Sequence, residues 1–152
     1  LFDKIKTVNF VQENHSRSNQ GVMRGLHYQV NRPQNQLVTV FSGEIYEAIV
    51  DMRPWSKTFG TTYEIRLSSF NGPNQIFTPS GVAGGFLVLT DVADLHYKVS
   101  EYYAVGDERG VNCLDPKLDI NWPDTSFFLN ERDKNYPNFE DIQPSDLPIR
   151  KD

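Results

Sequence analysis

Short runs in which apolar and polar residues alternate recur along this chain, and a turn signal closes each of them. Val8 to Gln12, Gln36 to Phe41, Glu44 to Met52, Thr61 to Leu67, Gln75 to Thr78, Gly85 to Leu89 and Leu95 to Ser100 read as strands. The breaks between them are rich in Gly, Pro and Asn, as in Asn19-Gln20-Gly21, Asn71-Gly72-Pro73 and Pro79-Ser80-Gly81. The stretch "QLVTVFSGEIYEAIVDMR" predicts a β-hairpin or a closely spaced antiparallel pair around Ser42-Gly43. The segment "RGLHYQ", Arg24 to Gln29, opens a further strand-like run after a glycine turn. No long window before the C-terminus shows a helical period. From Pro123 the chain turns polar and Pro-rich, and "TSFFLNERDKN", Thr125 to Asn135, is the one candidate for a short helix. The pattern predicts an all-β sandwich or barrel with a short helical C-terminal segment.

Composition narrows the classes. With 152 residues, the expectation is one domain over 1–152. Ten Phe and seven Tyr suit pleated surfaces. The net charge of −5 supplies no global basic field for nucleic acid, so an anionic ligand would need a local arginine site. Cys113 stands alone, which excludes an internal disulfide framework and fits the reducing cytoplasm. No apolar stretch is long enough for a membrane-spanning helix, and no signal-peptide pattern opens the chain. The chain starts at Leu1 rather than Met, so further residues are expected before it.

The candidate chemistry is that of proton transfer. His15, His27 and His96 have no metal-binding spacing, so no metal is expected. His96 is followed by Tyr97, and in a strand those two side chains point to opposite faces. A G-x-S-x-G nucleophile turn and a phosphate-binding glycine loop are both absent. General acid–base work remains: His27 as base, Tyr97 as acid, and Asp133 or Asp51 to orient the imidazole. The residues alone leave open a packed core histidine at 27 and a packing tyrosine at 97.

"FVQENHSRSNQGVMRGLHYQ" (Phe10 to Gln29), "GEIYEAIVDMRPWSKTFG" (Gly43 to Gly60), "LHYKVSEYYAVGDERGV" (Leu95 to Val111), "DPKLDINWP" (Asp115 to Pro123) and "FLNERDKNYPNFED" (Phe128 to Asp141) closely resemble the dTDP-4-dehydrorhamnose 3,5-epimerase family. The resemblance implies a cupin-type jelly-roll barrel, usually a homodimer, that needs neither metal nor cofactor. It implies a nucleotide-diphosphate 4-keto-6-deoxy sugar as substrate, with inversion of the carbons beside the ketone. By motif, His27 matches the catalytic base, Tyr97 the acid across the ring, and Asp133 the carboxylate paired with the imidazole. Arg24 matches an arginine that meets the diphosphate. Gln12, Asn14 and Ser16 match inward polar positions of the first barrel strand, and their spacing puts all three on one face. Tyr103 matches an aromatic near the nucleotide base, and His15 is expected to point away from the cavity. Phe41, Tyr46 and Phe59 are aromatic strand positions for the dimer face.

Three departures from the family pattern stand out. The family's "Q-x-K-L-V" is "QNQLV" here, so Gln36 replaces a lysine whose charge would help an enolate oxygen. The family's "P-P-G-x-A-H-G-F" is "PSGVAGGF", so Gly84 replaces a histidine and opens space beside the ring. A "D-x-R-G-x-F" element that usually precedes these strands is not found in the 152 residues. These changes point to an epimerase for a larger sugar such as a heptose, to inversion of C3 or C5 alone, or to a binding paralogue without turnover. A 3,4-keto-isomerase is a further alternative, and dTDP, GDP and CDP all stay open as the nucleotide.

Overall fold

The structure, a computed structural model, describes residues 5–123 and 126–150. Nine strands form two antiparallel sheets among these residues: β1 (Gln12–Asn19), β2 (Met23–Gln29), β3 (Gln36–Ser42), β4 (Glu44–Asp51), β5 (Thr62–Ser68), β6 (Gln75–Thr78), β7 (Val82–Val88), β8 (Val92–Val99) and β9 (Glu108–Gly110). One sheet runs β1-β8-β3-β6 and the other β5-β4-β7-β2-β9. Packed face to face, they make the cupin-type jelly-roll barrel that the resemblance implies.

The barrel interior is apolar at one end. Val40, Ile45, Leu67, Val88 and Leu95 meet there, almost wholly buried. Each such side chain contributes roughly 1.5–3 kcal/mol by leaving water. The outer face of the five-stranded sheet carries a second core of Met23, Leu26, Ala48, Val50 and Leu87. The C-terminal segment covers it with Trp122, Phe127, Leu129, Phe139, Ile142 and Leu147. β4 is therefore buried on both faces, which is why its centre, Ile45 to Val50, is apolar at every position but Glu47.

Several expected elements differ. Val8 to Val11 is not a strand; β1 starts at Gln12, is polar on both faces and alternates half-buried with exposed positions. β3 and β4 do not form a hairpin. β3 pairs with β6 and β8, and β4 with β5 and β7, so the chain crosses from one sheet to the other at Gly43. Gly43 adopts φ +81°, and a β-carbon there would stand 2.3 Å from the Val92 carbonyl oxygen. The expected helix over Thr125–Asn135 shrinks to one turn, α1 (Glu131–Lys134); Thr125 lies outside the described residues. Phe128 is extended instead, exchanging hydrogen bonds with Gly21 and Met23. Two 3-10 turns follow, Phe139–Asp141 and Pro144–Asp146. Tyr46, expected on a dimer face, packs edge-on against Trp122 within the chain, whereas Phe41 is 64% exposed. No helix among the described residues is long and apolar enough to cross a membrane.

Candidate active site

The two sheets diverge at the polar end and enclose a cavity of about 520 Å³. One wall is the four-stranded sheet. β1 contributes Gln12, Asn14 and Ser16, β3 contributes Gln36, and β8 contributes Tyr97. Tyr97 stands between Asn14 on one neighbouring strand and Val38 on the other. The facing wall is the five-stranded sheet, with Arg24 and His27 from β2 and Gly84 from β7. Tyr103, from the loop after β8, also lines the cavity, and its backbone N–H donates to Gln12 Oε1 at 3.1 Å.

His27 owes its position to an irregularity in β2. The register with β7 shifts between Arg24 and His27. Gly25 adopts φ +108°, and a β-carbon on it would stand 2.6 Å from the Gly85 Cα. The freed Gly25 N–H donates to Asp133 Oδ2 at 2.9 Å, and Asp133 Oδ1 meets His27 Nε2 at 2.8 Å. Asp133 does not line the cavity; it lies behind the ring, 1% exposed. α1 delivers it there, because the Asn130 side chain caps the Asp133 N–H at 2.8 Å.

Burial opposes ionisation of Asp133, but His27, the Gly25 amide and Arg132 outweigh it and hold the carboxyl below its usual range. A carboxylate can only accept, so the hydrogen between the two groups is carried by His27 Nε2. Across the cavity, burial pushes the Tyr97 phenol up, and the Arg24 charge pulls against this. The imidazole and the phenol thus face one cavity from opposite sheets.

The sequence reading missed several neighbours. Arg132 Nε donates to Asp133 Oδ1 at 3.2 Å, and its Nη2 lies 3.2 Å from His27 Nε2. The same guanidinium pairs with Glu108, and the Tyr136 ring stands edge-on to His27 at 5.6 Å. Arg132 adjoins Asp133 in "NERD", which was the signal available in the chain. Glu47, a lone acid inside the apolar run of β4, also reaches the cavity. Asp51, the other orienting candidate, is taken up instead by Arg53, Ser56 and Thr58. His15 and His96 face outward, bonded to Asp94 and Glu13. Among the described residues no group of three or more His, Cys, Asp or Glu could hold a metal ion. A smaller hollow of about 250 Å³, beside Arg109 and Asp146, holds none of the expected site residues.

A family profile described as dTDP-4-dehydrorhamnose 3,5-epimerase matches residues 2–141. The chain belongs to this family. A dTDP-4-dehydrorhamnose 3,5-epimerase of Pseudomonas aeruginosa is 43% identical over 135 residues, 88% of this chain and 74% of that protein. A solved dTDP-6-deoxy-D-glucose-3,5-epimerase of Legionella pneumophila, in complex with dTDP-4-keto-L-rhamnose, superposes with a TM-score of 0.90 at 40% identity. The match covers 96% of this chain and 78% of that one. A 3'-monoepimerase of Streptomyces bikiniensis in complex with dTDP, solved as a double mutant, gives a TM-score of 0.87 at 32% identity over 97% and 76%. As a member of the epimerase family the protein is an isomerase.

Two of the family departures face the cavity. Gln36 and Gly84 both line it, and Glu47 lies beside Gly84. A β-carbon on Gly84 would stand 3.5 Å from Glu47 Oε1 and 3.8 Å from the Ile49 side chain. No backbone lies within 4 Å of that position, so this glycine keeps floor space open rather than relieving a backbone clash.

Proposed function

We propose that this chain inverts C3, C5 or both of a nucleoside-diphosphate 4-keto-6-deoxy sugar, without a cofactor, by proton transfer through an enolate. The observation that carries the reading is that His27, backed by Asp133, and Tyr97 line one cavity from opposite sheets. His27 Nδ1 removes the proton beside the ketone. The C–H electron pair moves into the ring and negative charge gathers on the C4 oxygen. Tyr97 returns a proton from the other face. Arg24 offers a planar fork to the diphosphate, and Gln12, Asn14 and Ser16 hold the ligand's polar groups. Tyr103 flanks the nucleotide base. The ligands of the solved relatives support a thymidine diphosphate sugar. Residues 1–152 are read as one epimerase domain that works as a homodimer.

A second reading, inversion of one carbon only or of a larger sugar, is favoured by Gly84, which leaves the floor open where the family carries a histidine. Solvent deuterium exchange on the uninverted sugar, dTDP-4-keto-6-deoxy-D-glucose, whose protons face the base, tests both. Label at C3, C5 or both marks the carbons inverted. His27→Ala should abolish exchange at every carbon, and Tyr97→Phe should retain exchange while blocking net inversion. Nucleotide binding without any label would favour the paralogue without turnover. Movement of the carbonyl, seen by NMR of the product, would mark a keto-isomerase.

A further inference from the structure

One carboxyl group in the cavity has no partner. Glu47 sits in the middle of β4 on the inner face, 4% exposed, and its Oε2 makes no hydrogen bond. The wall around it is neutral. β5 sets Ile65 directly opposite, β7 sets Phe86 on the other side, and β3 presents Gln36 and Val38 to the cavity. The titratable and charged groups lining the same cavity are Arg24, His27, Tyr97, Tyr103, Glu108 and Arg132, and none of them bonds to Glu47. With no cation to offset it, burial pushes Glu47 up to about 8. At neutral pH it is therefore the uncharged acid, a donor as well as an acceptor.

Its place in the sheet suits a role toward the sugar. One row of the five-stranded sheet reads His27, Gly84, Ile49 across β2, β7 and β4, and the next reads Arg24, Phe86, Glu47. Glu47 is thus two strands and one row from His27, a Cα separation of about 12 Å from strand geometry. A ring lying between them can meet both side chains. Gly84, with no side chain, leaves Glu47 Oε1 uncovered from that direction. Gln36, on the facing sheet, brings no charge to the enolate.

We propose that Glu47 is a further catalytic residue, whose uncharged carboxyl group donates a hydrogen bond to the C4 oxygen of the sugar as the enolate forms. This rests on the epimerase reading above. His27 takes the carbon-bound proton, the C–H pair becomes the new ring double bond, and the carbonyl π pair goes to oxygen. The Glu47 proton stays on Glu47 throughout. A neutral acid held in an apolar wall does here what a fixed cation does elsewhere, without the desolvation cost of a second buried charge.

The test is the rate of solvent deuterium exchange on dTDP-4-keto-6-deoxy-D-glucose, followed by NMR across the neutral and alkaline range, with dTDP affinity and thermal melting as controls. Glu47→Ala should lower exchange about a hundredfold and leave dTDP affinity and the melt near wild type. Wild-type exchange should fall as pH rises through about 8, where Glu47 loses its proton. Tyr97 does not cause that fall, because burial pushes its phenol up from the already alkaline tyrosine value. Glu47→Gln, which still donates and does not titrate, should recover exchange to within about tenfold of wild type and lose the alkaline fall. Full exchange in Glu47→Ala, or an alkaline fall that persists in Glu47→Gln, overturns the inference and leaves the epimerase reading standing. No exchange by the wild-type protein overturns both.

Discussion

Asp133 and Glu47 are almost equally buried, at 1% and 4% exposure, yet they end in opposite charge states. Behind the His27 ring, Asp133 receives the imidazole, the Gly25 amide and the Arg132 guanidinium, and stays below the usual carboxylate range. In the cavity wall, Glu47 receives nothing and rises to about 8. Burial sets the cost of a charge, and partners decide whether it is met. One carboxyl group behind the cavity wall and one in it thereby end in opposite charge states; in the proposed mechanism the first steers the base and the second donates.

Exchanging the partners' counterpart is the strongest way to break this contrast. Asp133→Asn keeps the shape but removes the charge and can present an N–H where the imidazole needs an acceptor. The ring then loses the tautomer that leaves Nδ1 free. Deuterium exchange at the sugar should drop about 10³-fold. The folded chain should survive, because the amide oxygen can still accept from Gly25. Near-normal exchange in this variant, measured beside a normal melt, would show that the buried charge behind His27 is not what orients the ring.

The two acids should also leave opposite marks on stability. Glu47 has a folded value of about 8 against 4.5 for the free group, so it holds its proton longer when folded. Its contribution is full below the free value and is lost as pH rises toward about 8. Asp133, held down in the fold, contributes above the free value and loses that contribution as pH falls. At alkaline pH, Glu47→Gln should be more stable than wild type by about 3–5 kcal/mol, and the two should converge in acid. Urea unfolding at the two ends of the range reads this directly. Equal stability at both ends would mean that Glu47 gains a partner or water that offsets its burial.

That contrast also marks what the chain could reveal in advance. The sequence pattern, with its flanking turn residues, located β5 and β6 to within a residue. It misplaced β1, whose inward residues are Gln12, Asn14 and Ser16: a strand that lines a polar cavity shows no apolar stripe. It joined β3 to β4 because a two-residue link between strands reads as a hairpin. Which sheet each strand enters is decided by long-range pairing with β8 and β7, which no local pattern encodes. Phe127 and Leu129 looked helical, but they extend to pack on the back of the five-stranded sheet. Motif resemblance singled out His27, Tyr97 and Asp133, which the fold gathers in and behind one cavity. Glu47 escaped because a residue's chemistry here depends on lacking partners, and a sequence lists residues without their neighbours.

Arg132 offers the finest adjustment of the comparison, and its expected effect is the smallest. It touches both members of the His27–Asp133 pair, yet its side chain is 53% exposed and already pairs with Glu108. Charge in that setting is screened by water, so it adds little to what His27 and the Gly25 amide supply. Arg132→Gln should slow deuterium exchange only about threefold and cost less than about 1 kcal/mol of stability, with both effects shrinking in added salt. Asp133 would remain ionised, since its two closest donors are untouched. A loss as large as that of Asp133→Asn would reverse this ranking. It would mean that the guanidinium, which itself lines the cavity, acts on the substrate rather than on the carboxylate beside it.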